Sequence, residues 1–480
     1  MWWIILIVVI LGPIIVALIR TALIKDTPSG VLPDPPSDEL IERTGHVLSE
    51  MVQSPTVSHV DGATDDIEPF LEFHQTLEKH FPNVHRMLKK EVVDHCNLMF
   101  HWQGRDPSID PILLIAHQDV VPAAEEGWRH PPFSGTLRDG SVWGRGALDC
   151  KSTLYNVMEG VERLIADGFV PSSDVWLAFS SNEETSGDGA AKMSARFEER
   201  GIRFRLVLDE GGAIMEEALP GMDRPFAMIG VTEKGYIDLK ITAKGTGGHS
   251  STPPNDTPLV RLARFMDRVD RKKPFKKHLS KENKAMMRAV APSLPFGMRF
   301  LFGNLWLTQP LVMFAMPKVS SYGEALMSTT IAFTMAEGSE TSNVIPTEAW
   351  VMANMRPSPH QNVASSIGAL QPYLDANDLE ATPVLVREAS PVSDIDDPRF
   401  EAFVSVIETC FPDCGIAPYL VMGGTDARNY TNVSDMVLRF QAIRMTHEEL
   451  GSMHNIDERI NIRAVAEGVL FIRALIERFC

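Results

Sequence analysis

The sequence is short of the features that would place it outside the ordinary folded enzymes. Only 5 of its 480 residues are cysteine, namely Cys96, Cys150, Cys410, Cys414 and Cys480. They are too few and too scattered for a disulfide framework, and an odd number leaves one unpaired in any scheme. Cys410 and Cys414 allow either a pairing or a spacing of one helical turn, and packed thiols are the plain reading. No low-complexity tract or long block of one charge is present, which excludes a disordered tail. Positive charge is in deficit: 45 Lys and Arg against 63 Asp and Glu leave a net charge of -18. Such a surface repels a polyanion, so nucleic acid is excluded as a partner. Apolar residues, at 44% of the chain, are plentiful enough for a large interior. The length exceeds what one hydrophobic core usually supports, so two domains are expected.

One apolar run is exceptional. Trp2 to Ile19 carries no charge and is followed by Arg20 and Lys25. Its length is close to one bilayer crossing, and it lacks the basic start and small-residue cleavage site of a signal peptide. A single-pass transmembrane anchor over residues 2–19, and with it a membrane localisation, is therefore expected. The two basic residues weakly favour a cytoplasmic body by the positive-inside rule and leave the side of the membrane open. Residues 26–38 (DTPSGVLPDPPSD) read as a Pro-rich linker.

The body reads as α/β. Helical periodicity covers Glu39–Gln53 and Asp66–His80, and short unbroken apolar runs follow at Pro111–Ala116, Val175–Ser180 and Arg205–Leu208. Such runs are what strands of a parallel sheet show when both faces are buried. A helix at Ser152–Asp167 falls between them, giving the alternation of a doubly wound domain. From about Gly230 the texture changes. Tyr236–Lys244 alternates like a half-solvated antiparallel strand, Leu259–Asp270 reads as a helix and Trp350–Arg356 as another strand. Helices at Pro398–Cys410 and Ile462–Phe479 return to the first pattern. The division expected is a catalytic domain from 39–230 and 388–480, with an α+β domain inserted at 231–387.

Each of the three buried runs ends in side chains able to bind metal. His117 and Asp119 follow the first, Glu183 and Glu184 the second, and Asp209 and Glu210 the third. Ligands of open α/β sheets bind at the carboxyl ends of strands, so these groups can converge. Asp149 lies in a glycine-punctuated loop before a helix, and His454 in a loop before the last helix. Imidazole nitrogen and carboxylate oxygen together suit zinc.

These motifs, LLIAHQDVVPA, WGRGALDCKS, SSNEETSGDGA, LDEGG, GTGGHSSTPP, SNVIPTEAWVMANMRP, MGGTDAR and HNIDERI, resemble in kind and order those of the dinuclear-zinc family of carboxypeptidase G, succinyl-diaminopimelate desuccinylase and aminoacylase, above all its carboxypeptidase S branch. The resemblance runs from about residue 40 to 480. It implies a mixed, largely parallel catalytic sheet and a ferredoxin-like inserted domain that serves as lid and dimerisation unit. It further implies two zinc ions per subunit: His117 and Asp209 on one, Glu184 and His454 on the other, Asp149 bridging. Glu183 would be the general base, and Asp119 the acceptor that orients the His117 ring. His249 would reach across a homodimer to the oxyanion. Arg356, Asn343, Gly424 and Thr425 would contact the substrate's carboxylate and oxyanion side. The activity implied is hydrolysis of a peptide or N-acyl amide bond next to a free carboxylate, with an N-fatty-acyl-amino-acid hydrolase or synthase as the alternative. An inactive binding protein on the same fold is the alternative of another class.

Residues 271–318 depart from compact members of that family. A basic start (RKKPFKKHLSKENK) runs into a stretch rich in Phe, Leu and Met. A helical pair packed within the inserted domain or a dimer interface is expected, with an amphipathic element on anionic lipid, or along an acyl-chain path, as the sharper alternative.

Overall fold

The computed structural model describes residues 2–24, 33, 35–59, 66–94, 96–219, 221–222 and 224–480, with backbone only for residues 2–10. Most of the expected linker at 26–38 lies outside the described residues.

The main sheet has ten strands. From one edge they run Lys89–Val93, Asn97–Trp102, Val175–Ser180, Ile112–His117, Leu206–Asp209, Val437–Arg439, Phe226–Glu233, Ile214–Met215 and Arg444–Met445, with Gly415–Val421 also paired to Phe226–Glu233. The middle four are parallel, and antiparallel pairs flank them, so the sheet is mixed. Ile112–His117 and Val175–Ser180 are buried throughout. Successive side chains of a strand point to opposite faces. Ile112, Leu114 and Ala116 therefore join the core beneath the helices Asp38–Val52, Ser152–Ala166, Pro398–Cys410 and Ile462–Phe479. Leu113 and Ile115 face the other core, under Gly189–Glu199. Two of the helices approach unusually closely. A Cβ on Gly160 would lie 2.7 Å from Cγ2 of Ile472, so only glycine lets Ser152–Ala166 seat against Ile462–Phe479.

A second sheet is wholly antiparallel, in the order Thr330–Glu337, Glu348–Arg356, Tyr236–Lys244, Glu380–Arg387. The alternation in Tyr236–Lys244 is real. Ile237, Leu239, Ile241 and Ala243 are buried against Leu262, Phe265 and Val269 of the helix Pro258–Lys272.

Two expectations change. Residues 271–318 form the helices Lys281–Val290, Phe296–Gly303 and Leu305–Val319. Phe275 of this stretch joins the core of the second sheet, but the three helices lie elsewhere. Met287, Val290, Leu294, Phe302 and Leu305 share a core with Phe226, Ala417 and Leu420, at the edge of the main sheet. The expected anchor is not supported either. Residues Trp2–Leu23 are helical, but among the described residues no helix is long and apolar enough to cross a membrane. The transmembrane segment at 2–19, the membrane as a partner and the membrane localisation are accordingly withdrawn. Of its described side chains Ala17 and Thr21 are buried against protein, and Asn304 Nδ2 donates to the Ala17 carbonyl at 3.3 Å and to Thr21 Oγ1 at 2.9 Å. Cys150, Cys410, Cys414 and Cys480 are free thiols.

Candidate metal centre

The carboxyl ends of the central strands bring together side chains far apart in sequence. His117 ends its strand buried, with Nε2 2.9 Å from Asp149 Oδ1. His454, in a left-handed conformation at φ 56°, points back so that Nε2 lies 3.0 Å from Asp149 Oδ2 and 3.1 Å from Glu184 Oε2. Asp149 thus stands between the two imidazoles with one oxygen toward each. Burial works to raise its pKa, but the two imidazoles hold it below the ordinary carboxylate range. The same contacts, led by Asp149 and Glu184, raise His454 to about 10.

Among the described residues two overlapping groups of metal-competent atoms result, each with all atoms within 4.8 Å of one another: Asp149, Glu184 and His454 in one, His117, Asp149, Cys150 and Glu210 in the other. The second differs from the expected set. Asp209, the expected ligand, is absent from it because its oxygens accept from the backbone amides of Glu210 at 2.8 Å and Ala427 at 2.7 Å. Its neighbour Glu210 takes the place in the group. Burial raises Asp209 to about 6 and pushes Glu210 well above the usual carboxylate range. Cys150 accepts from the His117 amide at 3.2 Å, and burial keeps it a thiol.

The donor set fits zinc. It offers two imidazole nitrogens and carboxylate oxygens on both sides of one shared acid, the chemistry zinc accepts. Glu184 Oε1 is buried with no hydrogen-bond partner among the described residues, which marks an oxygen awaiting a cation. Divalent ions between these acids would also relieve the cost of burying them.

Asp119 acts differently from the expectation. The acceptor for His117 Nδ1 is the Asp119 backbone carbonyl at 2.9 Å, while the carboxylate lies 3.5 Å away. That carboxylate instead takes the amides of Glu183 and Glu184, each at 3.1 Å, and the Ser58 hydroxyl at 2.6 Å. It therefore sets the turn that presents the two glutamates. Glu183 is pushed well above the carboxylate range by burial, against the opposing pull of His117.

Other expected residues fall elsewhere. His249 lies in a short ladder, Gly248–His249 against Val344–Ile345, and Asn343 just before it accepts the Ser250 amide at 3.1 Å on its carbonyl; both are exposed and stand outside both groups. Arg356 stacks 4.5 Å over the Tyr236 ring. The Thr425 amide, expected for the substrate carboxylate, already donates to Glu233 Oε2 at 2.7 Å. Gly424 beside it is exposed.

Three residues escaped the sequence reading, whereas Glu210 stands there only as the neighbour of Asp209. Glu458 is fully buried: Oε1 accepts the amides of Gly146 and Leu148 at 3.0 Å and of Asp149 at 3.2 Å, and Oε2 pairs with Arg145 at 2.5 Å. It holds the loop that carries Asp149. Asp426 accepts from the Ser180 hydroxyl and is raised to about 7 by burial and by Asp209. Glu233 binds Arg439 at 2.8 Å and Arg428 at 2.9 Å, fixing the loop with Thr425. The signals were present, since Glu458 lies within HNIDERI and Asp426 within MGGTDAR.

A mixed α/β sheet with paired His and acid groups at its strand ends defines a metal-dependent hydrolase. The chain belongs to the peptidase family M20/M25/M40, which its residues 113–478 match. It is similar to the probable carboxypeptidase S-like 2 of Dictyostelium discoideum, 34% identical over 86% of this chain and 80% of that protein. It is also similar to the human N-fatty-acyl-amino acid synthase/hydrolase PM20D1, 32% identical over 90% of this chain and 86% of that protein. Among solved structures, the M20 family metallo-carboxypeptidase Sso-CP2 from Sulfolobus solfataricus has a TM-score of 0.65 at 16% identity, covering 91% of this chain and 99% of that one. Human carnosine dipeptidase 1 has a TM-score of 0.64 at 16% identity, covering 93% and 99%. At that identity the two structures speak for the fold alone.

Proposed function

We propose that the chain hydrolyses a peptide or N-acyl amide bond next to a free carboxylate, releasing an amino acid, with two zinc ions in one site. The observation that carries this reading is Asp149 placed between His117 and His454, one oxygen to each. His117, Asp149 and Glu210 would hold one ion, with Asp209 behind Glu210, and Asp149, Glu184 and His454 the other. When bound, zinc polarises the scissile carbonyl and lowers the pKa of water.

The protein's own residues do the rest. Glu183, raised by burial, takes the proton of the attacking water and passes it to the leaving amine, a task that favours a carboxylate pKa moved toward neutrality. Asp119 holds Glu183 and Glu184 in register through their amides. Arg356 binds the substrate's carboxylate, with Gly424 beside it, and Asn343 and His249 serve the oxyanion side. In this reading residues 231–387 are a lid through which two chains pair, each lending His249 to the other's site, and the catalytic unit is 39–230 with 388–480. An N-fatty-acyl amino acid is the second substrate reading, favoured by the similarity to human PM20D1.

The test is a screen of dipeptides and N-acyl amino acids against zinc-loaded protein, with Glu183→Gln as control. Loss of one positioned base costs about 10²- to 10⁴-fold in kcat. A variant that keeps its zinc and matches the parent in turnover would show the base to be wrongly assigned.

A further inference from the structure

A cavity of about 680 Å³ opens beside the loop that follows the two glutamates. Its walls include Ser186, Gly187 and Asp188 of that loop, Arg387 and Glu388 at the end of the second sheet's edge strand, and Arg428 from the loop after Asp426. Most charges on these walls are already answered. Asp188 pairs with Lys192 at 3.1 Å, both Glu388 oxygens take the Val363 amide at 3.1 and 2.9 Å, and Arg428 is bound to Glu233. Among the basic side chains on these walls, Arg387 is the one that makes no ion pair among the described residues; it donates to the Ser186 carbonyl.

A half-buried guanidinium without a counter-ion is costly, and in a chain of net charge -18 it is conspicuous. Burial and the neighbouring Arg428 both disfavour its charge, while Glu183 and Asp426 lie near enough to be felt. An anion seated in the cavity would remove that cost. Arg387 pairs across the strands with Tyr236, over whose ring Arg356 stacks at 4.5 Å, so two guanidiniums of the second sheet flank one tyrosine. A planar guanidinium grips a carboxylate with two parallel hydrogen bonds.

We infer that Arg387 is a specificity-determining residue that binds the substrate's free carboxylate in this cavity, as the second arm of a clamp with Arg356. The assignment rests on the amide-hydrolase reading above and deepens it. An endopeptide or a carboxamide, neutral at this position, would leave Arg387 unanswered and be rejected.

The test compares an N-acyl amino acid or dipeptide that the parent hydrolyses with its carboxamide twin, both on zinc-loaded protein. The parent is expected to favour the free carboxylate. Arg387→Ala is expected to lower kcat/KM on the carboxylate about 10- to 100-fold, chiefly through KM, so that the preference falls by that factor. Arg387→Lys, which keeps the charge but loses the fork, should lose less. A preference unchanged in Arg387→Ala, or an equal fall for both twins, would overturn the assignment and leave Arg387 as a support for Ser186. If the zinc-loaded parent hydrolyses no dipeptide or N-acyl amino acid in the screen, the hydrolase reading itself falls, and this assignment with it.

Discussion

Glu458 offers the sharpest perturbation of the site from outside it. Its carboxylate, itself shut off from water, gathers the amides of Gly146, Leu148 and Asp149 on one oxygen and Arg145 on the other. Glu458→Gln keeps the shape. The amide oxygen can still accept from the backbone, but the nitrogen then faces a guanidinium left buried without its counter-charge. Breaking a buried ion pair from one side costs about 3–5 kcal/mol. The loop that presents Asp149 is the part released, so the loss extends to metal: changes in groups that orient a ligand typically cost about 10–100-fold in affinity. Urea unfolding of the zinc-free proteins, followed by competition with a zinc-binding dye, measures both. A Glu458→Gln protein within about 1 kcal/mol of the parent, well below the range for a broken buried pair, and with the parent's zinc affinity, would refute the idea that this carboxylate holds the loop.

Two further outcomes concern stability. Lys234 is buried, donates to the carbonyls of Ala325 at 3.0 Å and Ser328 at 2.8 Å, and is lowered to about 7 by burial and by Arg356. The unfolded chain binds the proton that the folded one has lost between about pH 7 and 10. Stability should therefore rise with pH in that window, by up to about 1.4 kcal/mol per unit from this lysine. Lys234→Met should lack that contribution, and unfolding curves that keep a constant gap between the two proteins from pH 7 to 10 would disprove it. Gly160→Ala should cost about 1–3 kcal/mol by overpacking, because its Cβ would meet Ile472 at 2.7 Å; an unchanged unfolding midpoint would count against so tight a helix contact.

The parts of the fold that were legible in sequence were those where one physical rule acts alone. Ile112–His117 and Val175–Ser180 are buried on both faces, so they read as unbroken apolar runs, and Tyr236–Lys244 has one buried face, so it alternates. Residues 281–319 show where such reading stops. Their apolar side chains announce a covered surface but not which one, and the cover proved to be Phe226, Ala417 and Leu420. The apolar run at the N-terminus likewise carried no sign of the Asn304 contact that engages Ala17 and Thr21. At the site, strand ends named His117 and the acids after the second and third runs, since a polar residue closing an apolar strand needs a partner. Between adjacent acids the sequence is mute. Whether Asp209 or Glu210 turns inward depends on where the strand ends and which amides lie beyond it, here those of Glu210 and Ala427. Glu458 was hidden for a similar reason, because its role exists only once three amides converge on it.

Metal content, measured by elemental analysis on protein purified with zinc and freed of excess, bears most directly on the central claim. The parent should carry two zinc ions per chain, and His454→Ala and Glu210→Ala should each carry about one, because each removes a ligand from a different side of Asp149. A parent that retains no zinc, or a His454→Ala protein that still holds two ions, would contradict the centre built from His117, Asp149, Glu184, Glu210 and His454.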